Sequence, residues 1–219
     1  MTILIANELR KLRTIRGPWL LLAAGPVLVI VGVAGEVAGG ADLTQPQTAI
    51  HAAAHAGVVS LLTLIFGITA VAGEYRHQTI TDTYFGLMLA ITAVIATAVA
   101  ITANGGSLDL SNSDLWRTLA GGVACNAAFA AIGVSLGALI SNLAAAIATA
   151  LAWIALVEGL IGELIPDLEA WLPFAGGQAL GRLPGAPDIS QWAGGLLLAG
   201  YTVVFAAIAL TTSIRRDIT

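Results

Sequence analysis

One carboxylate stands inside a long apolar run. Glu158 lies in AWIALVEGLIGELIP (Ala152–Pro166). An ionised acid near the middle of a bilayer costs about 2.5–3.5 kcal/mol on insertion scales, and residues that carry such a cost tend to have work to do. Glu158 is placed toward the outer end of its run, where the cost is smaller. It reads either as a pathway-lining or gating acid, or as a rim acid satisfied by water or a helix terminus. His51 and His55 have the i, i+4 spacing that sets two imidazoles on one helical face, as metal sites require. Only alanines separate them and no cysteine lies near, so the alternative is a pair of solvated histidines at an outer rim. Glu36 reads as a plain rim residue. The single lysine, Lys11, follows no glycine-rich loop, so no Walker A phosphate cradle exists here. The single cysteine, Cys125, sits in an apolar run as a small packing residue. Nucleophile elbows and paired acids are lacking, and catalysis, a cofactor or a metal held by this chain alone is not expected.

The elements that position these residues follow from composition. Of 219 residues, 58% are hydrophobic and 10% charged, and the mean hydropathy is +0.90. A soluble domain of this size carries far more charge. Apolar runs near the ~20 residues that cross a bilayer recur along the chain, and they do not alternate as barrel strands do. The chain therefore reads as an all-α membrane protein with six transmembrane helices: Pro18–Ala38, with Pro26 as a kink site, then Ala53–Gly73, Gly86–Ala103, Leu115–Ile140, Ala144–Ile165 and Trp192–Ile214. No cleavable signal peptide is expected, since the first run is long enough to stay in the membrane. A pI near 5.2 argues against nucleic acid as a partner. Gly133 and Gly137 have the G-x-x-x-G spacing that permits close helix contact.

Basic residues set the orientation. Arg10, Lys11, Arg13 and Arg16 precede the first span, Arg76 follows the second, and Arg215 and Arg216 follow the sixth. Six spans put all of these on one side, leaving Arg117 and Arg182 on the other with Asp42, Asp109, Asp114, Asp167, Glu169 and Asp188. Both termini are expected in the cytoplasm of a multi-pass cell-membrane protein. Residues 1–17 form an amphipathic leader, with Leu4, Ile5, Leu9, Leu12 and Ile15 opposing Arg10, Lys11 and Arg13. It reads as an interfacial helix on the cytoplasmic face or as a topology signal alone. Residues 18–219 form a single transmembrane domain. Ser141 and Asn142 supply a tight turn between spans four and five. Gly162–Ser190, rich in proline, is expected to dip into the membrane as short re-entrant helices and then to form an outer loop.

The second run, AGVVSLLTLIFGITAVAG (Ala56–Gly73), is uncharged and ends abruptly in GEYRHQTI (Gly73–Ile80). As a topology cap, Arg76 alone would suffice; an acid and an aromatic beside it point to a contact. GEYRHQTI resembles the GEYR-x-G-T-I signature of ABC-2 type transporter permeases, above all their small actinobacterial branch. ELRKLRT (Glu8–Thr14), DLWR (Asp114–Arg117), the run Ala150–Pro173 and the ending RRDIT (Arg215–Thr219) add to the resemblance, which spans most of the chain.

The resemblance implies the membrane half of an exporter for a hydrophobic or amphipathic substrate. A second permease chain would pair with it, identical or not. A separate cytoplasmic subunit would bind ATP and Mg. The leader would be the connecting helix. Glu74, Tyr75, Arg76, His77, Thr79 and Ile80 would couple to the ATPase, and the stretch after span five would be a pair of re-entrant outer helices. Against the family pattern the basic stretch between the signature and the third span is missing: either it is deleted, which would shorten the expected ATPase contact, or it is a loop left out of the numbered chain. The competing reading is a self-contained secondary transporter or channel with Glu158 in its pathway. Such proteins are commonly built from internal repeats, and no convincing repeat is visible here.

Overall fold

The computed structural model describes residues 16–42, 45–72, 91–92, 94–103, 109–140 and 142–216. Every regular element among them is helical. In chain order these are α1 (Arg16–Ala38), α2 (Pro46–Val58), α3 (Ser60–Ala72), α4 (Val94–Ala103), α5 (Ser113–Leu139), α6 (Leu143–Ala152), a π-helical segment (Trp153–Glu158), α7 (Gly159–Leu164), α8 (Pro166–Glu169), α9 (Pro173–Gly181) and α10 (Gln191–Arg216). Four helical stretches are long and apolar enough to cross a membrane: Gln47–Thr69, Ser113–Leu139, Leu143–Leu164 and Gln191–Thr212. Ala23–Ala38 and Val94–Ala103 are shorter apolar helices.

The bundle is organised around α5. Gly67 of α3 faces the Ala130 carbonyl, Gly133 of α5 faces the Leu64 carbonyl, and a Cβ on Gly137 would stand 2.8 Å from the Ile68 oxygen. No side chain separates the two backbones, which is the close approach that small residues permit between apolar helices. From Thr63 with Asn126 to Val71 with Gly137 the paired numbers rise, so α3 and α5 run parallel. Leu64, Ile68, Phe129 and Ile132 form one core cluster with Ala146 and Ala150 of α6 and Leu198 of α10. Val29 of α1 packs with Ala53, Ala56 and Val59, and with Leu115 and Leu119 of α5. Val94 joins that cluster, whereas Ile101 packs near Ala49. α4 thus runs opposite to α2. The inner stretch Gln47–Thr69 has 67% of its apolar window buried; Leu143–Leu164 and Gln191–Thr212 have 17%. The last two therefore form the outer surface of the chain.

The second apolar helix starts earlier than the hydropathy run alone implies, at Pro46 rather than Ala53. Proline at the first helical position gives up no hydrogen bond and presets φ, and the alanines around His51 and His55 favour helix. The helix breaks at Val59, between α2 and α3. The break leaves the Ala56 carbonyl to the Asn126 amide, whose Nδ2 donates to Ala56 O and Gly122 O, both at 2.8 Å, while its Oδ1 accepts from Thr63 Oγ1 at 3.3 Å. α1 begins at Arg16 and carries Pro26 inside it. α5 is capped by Asn112, whose side chain accepts from Asp114 N at 2.9 Å. Just before it, Asp109 accepts from the Ser111 amide and hydroxyl, which hold its carboxyl below the usual range. Asn142 caps α6 through Ala145 N at 3.0 Å and supports the tight turn.

Gly133→Val would drive two methyl groups into the α3 backbone, at a cost of about 2 kcal/mol. Gly200 of α10 has nothing within 4 Å of a built Cβ, so Gly200→Val should leave stability nearly unchanged. Unfolding titrations of both variants in mild detergent test this. Equal behaviour would refute the backbone contact.

Candidate functional site

α9 is the unusual element, and it positions Glu158. Its nine residues rise about 14 Å at 1.5 Å per residue, roughly half a membrane. It starts beside the middle of α5, where the Phe174 and Phe129 rings meet edge to face with centroids 6.2 Å apart. It runs antiparallel to α5: Gly177 lies against Phe129 and Cys125, and Leu180 and Gly181 reach Gly121 and Gly57. Its glycines give it no side chain to hold α5 and α10 away, so the helix is largely buried.

The N-terminus of α9 carries amides without a local cap. Leu172 holds the N-cap position and offers no side-chain acceptor, although a helix start leaves several N–H groups unpaired. Pro173 removes one. The next is taken by Glu158, which accepts from Phe174 N at 2.8 Å through Oε2. Trp153 Nε1 donates to Oε1 at 3.1 Å. Glu158 is 7% exposed. Charge-assisted bonds of this kind contribute about 1.5–3 kcal/mol each, and a helix N-terminus favours an anion by up to about 2 kcal/mol when partly buried. These terms offset part of the insertion cost of the acid.

Local backbone geometry makes the reach possible. Trp153 to Glu158 is a π-helical turn inside an otherwise α-helical stretch. Such turns widen the helix, shift its register by one residue and recur at functional positions. Here Trp153 and Glu158, five apart, share a face, and both aim at α9. A cavity of about 360 Å³ opens beside them, lined by Ile154, Glu158, Gly162, Glu163, Glu169 and Gln178 among others. The site can hold a carboxylate in a fixed orientation next to a small polar space. It can also tie the fifth apolar helix to the short helix α9 through one side chain.

Glu158 is thus a buried acid satisfied by a helix terminus. His55 is half-buried. Its Nδ1–H donates to Ala52 O at 3.1 Å, and its ring fills the space left by Gly32 of α1. His51 contacts Gln47 at 3.4 Å. Both histidines lie within α2, and neither ring is brought to a third ligating side chain among the described residues. Glu74, Tyr75, Arg76, His77, Thr79 and Ile80, and Arg10, Lys11 and Arg13 of the leader, lie outside the described residues. Asn126, Trp153 and the α9 amides were not singled out from sequence. An asparagine in an uncharged run, and a Leu-Pro helix start with no capping side chain, are the signals that could have found them. Compared with known proteins, the chain matches no family model, no curated protein and no solved structure.

Glu158→Ala strips the acceptor from the Phe174 amide and the Trp153 indole and should cost about 2 kcal/mol. Glu158→Gln keeps one acceptor oxygen and should cost less than half as much. Thermal unfolding in detergent, followed by near-ultraviolet dichroism of the tryptophans, measures both. Indistinguishable variants would mean that the carboxylate does not hold α9.

Proposed function

We infer that the chain is the permease subunit of an ATP-driven exporter for hydrophobic or amphipathic molecules, working with a second permease chain and a separate cytoplasmic ATP-binding subunit. The observation that carries this is the parallel packing of α3 and α5. A chain that leaves α3 at one end of the bundle and enters α5 from the other must cross once in between. α4 lies in that interval and runs the required way. With α1, the stretch from α6 to α7, and α10, the count becomes six crossings. The termini then share one side, and GEYRHQTI follows the second crossing on that same side. The rule of basic residues makes that side cytoplasmic. α8 and α9, lying between the fifth and sixth crossings, take the place of a re-entrant pair. The exposed outer faces of Leu143–Leu164 and Gln191–Thr212 leave surface for a second permease chain as well as for lipid.

Work from the ATPase would enter at Glu74–Phe85, with Glu74, Tyr75, Arg76, His77, Thr79 and Ile80 as contacts and the leader residues Arg10, Lys11 and Arg13 lying along the membrane face. ATP and Mg would belong to the partner subunit. One specific observation favours a second reading, a self-contained secondary transporter or channel. A buried acid at a π turn beside a cavity is what such a pathway needs.

Co-expression with neighbouring genes, purification in mild detergent and assay for ATP hydrolysis separate the two. The exporter reading expects a stoichiometric soluble ATPase with two permease chains. It also expects Glu74→Ala combined with Arg76→Ala to lower substrate-stimulated hydrolysis by about tenfold, the scale of a typical coupling between sites. A stable chain that transports without an ATPase would overturn it and turn attention to Glu158.

A further inference from the structure

Two grooves flank one face of α5, and they share a wall. The larger, about 850 Å³, runs between α5 and α10. Its floor is small and apolar: Ala120, Ala124 and Ala128 recur every four residues along α5, facing Leu196 and Ala199 of α10. The smaller, about 350 Å³, runs between α5 and α4 and is almost wholly apolar, lined by Ile91, Val94, Ile95, Leu119 and Val123. Ala120 lines both. The larger groove ends in charge at the start of α5. Asp114 is held there by Arg182, whose Nη1 lies 2.8 Å from Oδ1. Arg182 sits at φ 54°, in the left-handed region, as the C-cap of α9. A non-glycine residue accepts that conformation when its surroundings fix it, and the ion pair to Asp114 is such a constraint.

Arg117 lines the same end. Its side chain is exposed, and no carboxylate among the described residues pairs with it. One acid and two guanidinium groups leave the head of the groove with one positive charge. Trp116 and Trp192 flank it, 53% and 84% exposed, with the Trp116 indole fixed by donation to Leu110 O at 2.8 Å. Exposed tryptophans at helix starts favour the headgroup level of a bilayer, and a guanidinium suits a phosphate.

We propose that this face binds a diacyl anionic phospholipid of the surrounding bilayer, its phosphate at Arg117 and its two acyl chains straddling α5 at Ala120, one in each groove. The site is built for an amphiphile: cation and aromatic girdle at one end, apolar troughs below, and a shared wall too small to keep the two chains apart. A second protein helix would suit one trough and not both. The proposal stands on these grooves alone, whichever transport reading holds.

Native mass spectrometry of the intact chain, released from detergent with equal amounts of phosphatidylglycerol and phosphatidylcholine of matched chains, tests it. Phosphatidylglycerol should be retained about fivefold over phosphatidylcholine, the contribution of one basic residue near an anionic lipid. Arg117→Gln should abolish that preference and Arg117→Lys should keep it. Ala120→Phe should lower retention of both lipids, and lysophosphatidylglycerol should be retained less than the diacyl form. An equal response to the two headgroups, a preference that survives Arg117→Gln, or a chain that keeps a protein partner and no lipid would each overturn the proposal.

Discussion

The contact of α3 with α5 is the constraint from which the rest of the bundle is built. Two parallel helices meet there backbone to backbone, through Gly67, Gly133 and Gly137. In an apolar solvent no hydrophobic force pushes helices together, so close van der Waals contact must do so. Once the two backbones touch, the adjacent positions follow. Asn126 is carried to the break at Val59 and satisfies the carbonyl that the break exposes. Gly57 meets Gly122. α6, α9 and α10 then pack against the sides of α5 that α3 leaves open. A side chain at any of the three glycines would move every one of these neighbours.

A second constraint comes from backbone groups that lipid cannot satisfy. The short helix α9 brings a helix start to the level of Phe129, far from the ends of α5. The π turn, Trp153 and Glu158 together answer that need. A single carboxylate serves the backbone of one element and the indole of another, and so fixes the fifth apolar helix to α9. At the far end of α9, Arg182 ties its last turn to the first turn of α5 through Asp114. The short helix is thus held at both ends by charged side chains from helices that cross the bundle more fully.

Much of this was legible in the residue order. Charge-free runs placed the long apolar helices to within a few residues, Asn142 marked the tight turn, Gly133 and Gly137 marked the close contact, and Glu158 stood out as an acid in grease. What stayed hidden has physical reasons. The start of α2 at Pro46 was masked by histidine and glutamine, polar residues that lower hydropathy without opposing helix. Hydropathy has no access to a π turn, because one extra residue per turn leaves composition unchanged. One of the two partners of Glu158 is a backbone amide, which carries no sequence signature. Asn126 sits among alanines and glycines whose helical pattern has no polar face to set it apart. The proposed coupling residues between Glu74 and Ile80 rest on resemblance and lie outside the described residues.

Parallel pairing of α3 with α5 also bears on the order of assembly. Gly67 is synthesised long before Gly133, and the carbonyls that it will face do not yet exist when α3 first enters the membrane. The face of α3 that carries Gly67 therefore lacks its partner until α5 is made. The core of this protein cannot close until more than half of the chain has left the ribosome.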